Sequence, residues 1–339
     1  MSDDTKTETP GTAAPAADGA RRRSLLSPSL LWQTIGPFAI FLALFALVAI
    51  VNPQFVGGGG LVILTTQAAP ILLVALGQAM VLHVGSLDLS NAAIALLSTV
   101  LAALLLGPLA GAAPLVVLAI ATMVGLVNGL IFAYTQVPSF ALTLGTLGIL
   151  QAASLVLTDS TTVYVTANAN VLSWMFNQRV GGLPMGFWMA VILAVILWAM
   201  LRFTSPGRGM TAVGLSETGA IFSGIRTRTL KAAAFALSGL LAGFAGLTTI
   251  AQAGAASSFG LGSDLLLPGI AAAIVGGTAI TGGITNPVNV IFGALTVALL
   301  PIGAAAVGVP PQAQSLVYGL IIIVVVALTI SRSRSGVVK

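Results

Sequence analysis

The sequence predicts an all-α polytopic membrane protein of about ten transmembrane helices, and three observations predict it. Between Arg23 and Arg179 there is no lysine or arginine, and the only carboxylates in that interval are Asp88 and Asp159. Charged residues make up 6% of the 339 and apolar ones 57%, where a soluble fold draws about a quarter of its residues from Asp, Glu, Lys and Arg to solvate its surface. Stretches such as 40–51 and 316–330 are apolar on every face. That suits a helix in lipid and not a barrel strand, whose residues alternate with period 2.

The same composition excludes several functions. The formal charge of +5 comes from three short basic clusters beside apolar runs, without the aromatic interleaving of a nucleic-acid surface, so no nucleic acid is expected as a partner. Zero cysteines remove disulfides, thiolate metal sites and Cys nucleophiles. One histidine, His83, leaves no constellation of nucleophile, acid/base and metal groups, and no catalytic residue or metal site is assigned. A proton-coupled secondary transporter would place several ionisable residues in mid-span, and only His83 and Asp88 are candidates.

Taken in order, residues 1–30 are low-complexity Ala, Thr, Asp, Pro and Gly ending near Arg21, Arg22 and Arg23, too polar to bury a core and read as a disordered cytoplasmic tail. The basic triplet has the look of a signal-peptide n-region, but the apolar run behind it is long enough to span and many spans follow. A window of about 19 residues places spans at 33–51, 61–83, 88–107, 114–134, 139–157 and 184–201. A polar segment at 202–231 intervenes, and spans resume at 232–252, 265–282, 287–307 and 312–330. Together these make a transmembrane domain of 31–331, closed by a cytoplasmic tail at 332–339. Two spans are interrupted and open to a re-entrant reading: 139–157 carries Thr143, Thr146 and Gln151, and 265–282 is cut by Pro268 and Gly276-Gly277. Positive charge belongs on the cytoplasmic side. Even numbers of spans separate the clusters at 21–23, 202–231 and 332–334, so both termini and the 202–231 loop share that side, while 52–60, 158–183, 253–264 and 308–311 fall outside.

The 202–231 segment has a helical signature of its own. Pro206-Gly207 opens it, Ser216 can cap a helix whose first turn holds Glu217, where a carboxylate favours the macrodipole, and Ser223-Gly224 can close it. A short amphipathic surface helix is expected. Arg208, Arg226, Arg228 and Lys231 read as orientation and lipid-surface charges, worth about 1 kcal/mol each.

The run Ala212-Val213-Gly214-Leu215-Ser216-Glu217-Thr218-Gly219-Ala220-Ile221-Phe222-Ser223-Gly224-Ile225 resembles the cytoplasmic coupling segment, A-x-G-x-x-E-x-x-A-x-x-S-G-I, of ribose-type ABC importer permeases. Three further stretches agree in order. Gly85-Ser86-Leu87-Asp88-Leu89-Ser90 resembles the family's G-G-I-D-L-S, with Ser86 in place of its second glycine. Asn128-Gly129, Val137-Pro138-Ser139-Phe140 and Thr143-Leu144-Gly145-Thr146 resemble N-G, V-P-x-F and T-L-G-T, and Gly276-Gly277-Thr278 with Gly282-Gly283 resembles G-G-T-S-L-x-G-G. The resemblance covers roughly residues 35–330.

It implies a vitamin-B12-importer-like (type II) permease fold in a bacterial inner membrane, carrying a simple sugar. Its partners would be a second permease, same or different, a cytoplasmic ABC ATPase, an extracytoplasmic sugar-binding protein and membrane lipid. Branched-chain amino acids or a furanone-like signal are the alternative substrates, since related permeases share the architecture. ATP and magnesium would be bound by the ATPase, and this chain has no G-x-x-x-x-G-K-[ST] loop. Within the coupling segment, Gly214, Glu217, Ala220, Ser223 and Gly224 are the candidate ATPase contacts: Glu217 as the polar one, and Ala220 with Gly224 as small residues on one face that let a partner approach.

The pathway candidates are Asp88, Asn128, Thr143, Thr146, Gln151, Gly276, Gly277 and Thr278. A transported sugar needs only weak, dispersed hydrogen bonds, and the alternative is that these residues tie neighbouring helices together at about 0.6 kcal/mol each. For Asp88, which follows Gly85-Ser86 at a turn, three readings stand: a cap for a helix starting at Leu89, a gate or partner contact, or a proton relay with His83. His83 otherwise reads as a satisfied interfacial histidine, and Asp264 as a cap for the run from Leu265. Gly125-x-x-x-Gly129 and Gly239-x-x-x-Gly243 read as helix-packing glycines. Gly85 and Gly276-Gly277 mark paired interruptions in the two halves, the pattern that points to a transport route.

Overall fold

The computed structural model describes residues 28–320 apart from 136, 258–262, 311, 312, 314, 315, 317 and 318. The expected N-terminal tail with Arg21 to Arg23 lies outside the described residues, as do the tail 332–339 and, but for isolated positions, the expected span 312–330. Helix begins at Pro28, inside the expected tail: α1 (Pro28–Val51) and a 3-10 turn lead into α2 (Gly58–His83). After an extended turn come α3 (Asn91–Leu109), α4 (Ala113–Thr135) and α5 (Ser139–Leu157). Next are β1 (Val163–Tyr164), α6 (Asn170–Asn177), β2 (Arg179–Val180), β3 (Leu183–Pro184) and α7 (Met185–Phe203). The second half holds α8 (Ser205–Leu215), α9 (Glu217–Phe222), α10 (Thr227–Ala253), β4 (Ala255–Ala256), α11 (Leu266–Val275) and α12 (Pro287–Ala306).

Six helical stretches among the described residues are long and apolar enough to cross a membrane, and one of them, Asn91–Thr135, is folded in two at Ala110 into α3 and α4. The molecule is a multi-pass membrane protein. Seven predicted spans (61–83, 88–107, 114–134, 139–157, 184–201, 232–252 and 287–307) each fall on one of these helices, and 33–51 falls on α1. The span expected at 265–282 differs. Only the ten residues of α11 are helical there, about 15 Å at 1.5 Å per residue, and the chain continues as a non-helical turn through Gly277, Gly282 and Gly283, all with positive φ.

The expected outer loop 158–183 is also more structured than a loop. Leu172 and Met175 are buried on α6, which packs against α7 and α10. β1 pairs antiparallel with β4 (Val163 opposite Ala256, Tyr164 opposite Ala255). β2 and β3 form a hairpin across Gly181-Gly182, both with positive φ, as a two-residue turn matched to strand twist requires.

The interior is built around α2 and α10. Leu72, Leu73, Leu76 and Met80 of α2 are fully buried, enclosed by α7, α10, α11 and α12. Burial on all sides explains why the sequence of α2 shows no polar face. Where α4 meets α10, the glycine pairs interlock: a Cβ on Gly239 would lie 3.1 Å from the Gly125 Cα, and one on Gly129 would lie 2.7 Å from the Ala232 Cα. Gly243 sits against Ala121, and Gly246 against Ser98 of α3. Lipid gives no hydrophobic drive to pair two apolar helices, so dispersion at close backbone contact does the work. Replacing Gly239 with leucine should therefore separate α4 from α10 at a cost of at least about 1–3 kcal/mol. A fall in the unfolding midpoint of the detergent-solubilised protein, with little change for Gly145→Leu on α5, where nothing lies within 4 Å, is the measurement that checks this.

Candidate functional site

The polar segment 202–231 forms two helices rather than one, at the basic end of the bundle. Pro206-Gly207 does open a helix, α8, whose N-cap is Thr204: its Oγ1 accepts from the Gly207 N–H at 3.2 Å. Ser216 breaks the run with extended backbone (φ −163°) and caps α9, its Oγ accepting from Gly219 N–H at 3.1 Å. Ser223 and Gly224 (φ +76°) end α9. The short helix is thus pinned at both ends by residues of its own motif.

Three of the five coupling candidates lie on the surface: Glu217, Ser223 and Gly224. Glu217 is bound within the chain, its Oε1 accepting from Lys231 Nζ at 2.5 Å, and Lys231 also lies over the Phe132 ring. Lys231 is therefore the anchor of α9 on α10 rather than a free lipid-surface charge. Ala220 departs from the expectation that it shares an approachable face with Gly224, because it is buried, at 4% exposure, against the chain's own interior. Beside the exposed Glu217 and Thr218, three apolar side chains stand out around the α8–α9 corner: Phe222 of α9 is 88% exposed, Ile221 54% and Leu215 of α8 66%. Gly214 faces inward, to a junction with both interrupted segments. Its added Cβ would clash with the His83 carbonyl and with the backbone of Gly283. Gly283 N–H donates to that same His83 carbonyl at 2.9 Å, and His83 Nε2 bonds Thr211 Oγ1 of α8 at 3.0 Å.

From His83 the chain runs through the turn 84–90 into a buried polar network. Asp88 is fully buried, and α3 starts at Asn91 rather than at the expected Leu89, with the Asp88 carboxylate bonding backbone N–H groups at that start. Its Oδ1 accepts from Ser90 N–H at 2.9 Å and from Ser90 Oγ at 2.6 Å, and its Oδ2 accepts from Ser238 Oγ of α10 at 2.8 Å. Asn91 Nδ2 donates to Ser238 Oγ. Asn128 Nδ2 of α4 donates to Ser90 Oγ at 3.0 Å, and its Oδ1 accepts from Thr146 Oγ1 of α5 at 2.8 Å. Two side chains of α5 satisfy the turn itself: Ser139 Oγ accepts from Leu87 N–H and Thr143 Oγ1 from Leu89 N–H, each at 3.0 Å.

Four pathway candidates, Asp88, Asn128, Thr143 and Thr146, thus come together, with their polar groups bonded between helices. Gln151 is half-buried further along α5 and joins none of these bonds. Gly276, Gly277 and Thr278 occupy the other interruption. Gly276 sits against Val290 of α12, and Thr278 Oγ1 bonds Thr285 Oγ1 at 2.8 Å to close the turn. The two interruptions do meet, but at Gly85 and Gly282 rather than at Gly276-Gly277. Asp264 lies in a 3-10 turn ahead of α11, whose N-cap is Leu265 with no side-chain cap bond, and burial pushes its carboxyl above the usual range.

Ser90, Asn91, Ser139 and Ser238 were not among the predicted site residues. Ser139 and Ser238 are single small polar groups beside apolar residues and Ser90-Asn91 is a polar pair just after Asp88, and only proximity in space separates them from an ordinary Ser or Asn that bonds its own helix. Asp88→Asn would point an amide donor at Ser90 N–H or Ser238 Oγ and leave a buried donor without an acceptor. A loss of about 1–3 kcal/mol, read as a lower thermal midpoint in detergent, is expected, against a smaller loss for Thr146→Val.

Residues 60–326 match the family described as branched-chain amino acid transport system / permease component. Curated relatives include the D-allose transport system permease protein of Escherichia coli strain K12, 31% identical with 88% of this chain and 92% of that protein covered. The ribose import permease protein of Bacillus subtilis strain 168 is 31% identical, covering 89% and 94%, and that of E. coli strain K12 is 30% identical, covering 84% and 90%. The chain therefore belongs to the branched-chain amino acid transport system / permease component family.

Proposed function

We propose that this chain is the membrane-spanning permease subunit of an ATP-driven ABC importer and forms the route for a monosaccharide handed over by an extracytoplasmic binding protein. The observation that carries the proposal is the α8–α9 arm, a capped protrusion at the basic end whose tip, Leu215, Ile221 and Phe222, is apolar and uncovered. A surface patch of that kind rimmed by polar groups is an interaction site, and a chain with no phosphate-binding loop of its own needs force from a partner. The arm is the dock for a cytoplasmic ATPase subunit that binds ATP and magnesium. The basic end, with Arg202, Arg208, Arg226 and Arg228, is the cytoplasmic side of a bacterial inner membrane, and the termini lie there. The fold is of the vitamin-B12-importer type with about ten spans, paired with a second permease. Relatives named for ribose and D-allose support a sugar over a branched-chain amino acid or a furanone-like signal, and one buried His and one buried Asp among the described residues give a proton-coupled mechanism too few ionisable groups.

Reconstitution with the cognate ATPase and binding protein, tested for ATP-dependent uptake of radiolabelled pentoses and hexoses, decides the substrate class, and uptake of leucine in their place would refute it. In the same assembly Phe222→Ala should weaken co-purification of the ATPase, and Glu217→Ala should collapse sugar-stimulated ATP turnover while insertion survives. Lys231→Met separates two roles for Glu217: little effect marks a direct contact with the ATPase, and a matching collapse marks Glu217 as the tether that holds α9 in place.

A further inference from the structure

The arm is joined to the bundle in an unusual way. α8 packs along α7 and α10, and it makes a third contact at its inner end. Its last turn is wedged into the place where the two interrupted segments touch. Thr211 bonds His83, the final residue of α2, at 3.0 Å. One turn on, Gly214 lies so close that any side chain would clash with the His83 carbonyl and the Gly283 backbone. Gly282 completes the contact: a Cβ there would lie 2.7 Å from the Gly214 carbonyl oxygen and 3.0 Å from the Gly85 Cα. Gly85, Gly282 and Gly283 all have positive φ, which L side chains adopt only with strain. Three segments distant in sequence therefore meet backbone to backbone at Gly85, Gly214 and Gly282, with the Leu215 side chain packed beside them on Gly283.

What lies beyond the junction is equally tight. The turn 84–90 hangs on α5 through Ser139 and Thr143, and on α10 through Asp88 and Ser238. The 276–286 segment is fixed to α12 by Gly276, which lies against Val290, and by Gly293, whose added Cβ would clash with α11. A close-packed contact of this kind shifts between discrete arrangements rather than deforming smoothly.

We propose that Gly214 and Thr211 are the positioning residues of transport: they seat the arm on His83 and Gly283, so that one movement of the arm enters both interrupted segments together and reaches α5 through the turn 84–90. The inference rests on the arm being the ATPase dock. Its signature is uncoupling, with ATPase bound and ATP consumed but little sugar moved per ATP.

The full assembly in proteoliposomes, supplied with whichever sugar the wild type accumulates, gives the test. Gly214→Ala should still co-purify with the ATPase, because the α9 tip is untouched, while sugar moved per ATP falls by at least about fivefold, the low end of ordinary coupling between sites. Thr211→Val keeps the shape and loses the bond to His83 along with the local one to the Gly207 carbonyl, so its ratio should fall by roughly two- to tenfold for the lost cross-chain bond, and it keeps the test open if Gly214→Ala does not fold. Because the chain lacks cysteine, Ala141→Cys on the exposed face of α5 reports the far end of the linkage. Its labelling rate by a small maleimide should change with ATP in the wild type and lose that response with Gly214→Ala or Thr211→Val, which a merely destabilised fold would not produce. Wild-type transport per ATP in both variants overturns the inference and leaves the permease reading intact. Loss of ATPase binding in both also overturns it, since the junction would then belong to the dock. A wild-type assembly that hydrolyses ATP without uptake sinks both readings.

Discussion

Every interrupted helix in this molecule has to satisfy its backbone from within, because hydrocarbon offers no water to bond a freed N–H or C=O. The turn between α2 and α3 shows how much sequence that demands. Leu87 and Leu89 N–H groups are taken by Ser139 and Thr143, and Ser90 N–H by Asp88. Gly85 and Gly283 supply the left-handed conformations that let the backbone reverse and let Gly283 N–H reach the His83 carbonyl. Ser139 and Thr143 of α5 thus serve a break in a different helix. So does Asp88, a buried carboxylate that apolar surroundings would otherwise make costly.

The arm at the basic end obeys the opposite economy. α9 has six residues, too few to hold a helix by its own hydrogen bonds, and it is maintained by an N-cap worth about 1 kcal/mol and an ion pair with an exposed carboxylate, worth about 0–1 kcal/mol. A tip so weakly held can adjust to a partner. α8, in contrast, is wedged by backbone contact at Gly214. With the arm as the proposed dock, it is compliant at the tip a partner would touch and stiff where it meets the bundle, the distribution that passes a push inward.

The sequence made the helices legible because lipid imposes length and composition together, and it made α9 legible because Ser216, Glu217, Ser223 and Gly224 act locally. The packing glycines at 125, 129, 239 and 243 were legible for the same reason, as a spacing of four on one helix face. The rest was settled by contacts across the chain. Nothing near Ala220 distinguishes a face turned to a partner from one turned to α10. For Thr143 and Thr146 the sequence left a polar lining and a tie between helices both open, and only contact in space shows that Thr143 bonds Leu89 and Thr146 bonds Asn128. Pro268 and Gly276-Gly277 marked the interruption of 265–282, whereas the ten-residue length of α11 is set by its packing against α2 and α12.

Gly214 brings these strands together, because nothing local calls for glycine there. It lies within α8, ahead of the Ser216 cap, where glycine costs about 1 kcal/mol relative to alanine, and its backbone is not among those with positive φ. Conformation therefore does not explain it, whereas space does: the His83 carbonyl and Gly283 occupy the volume a methyl would take. A helix that forgoes stability at its inner end to bring its backbone against two other backbones gains a contact of fixed distance. Side chains such as leucine or methionine would fill the same gap more stably, but their rotamers would yield under load, and a displacement of an ångström or two would be lost before it reached the turn that holds Asp88.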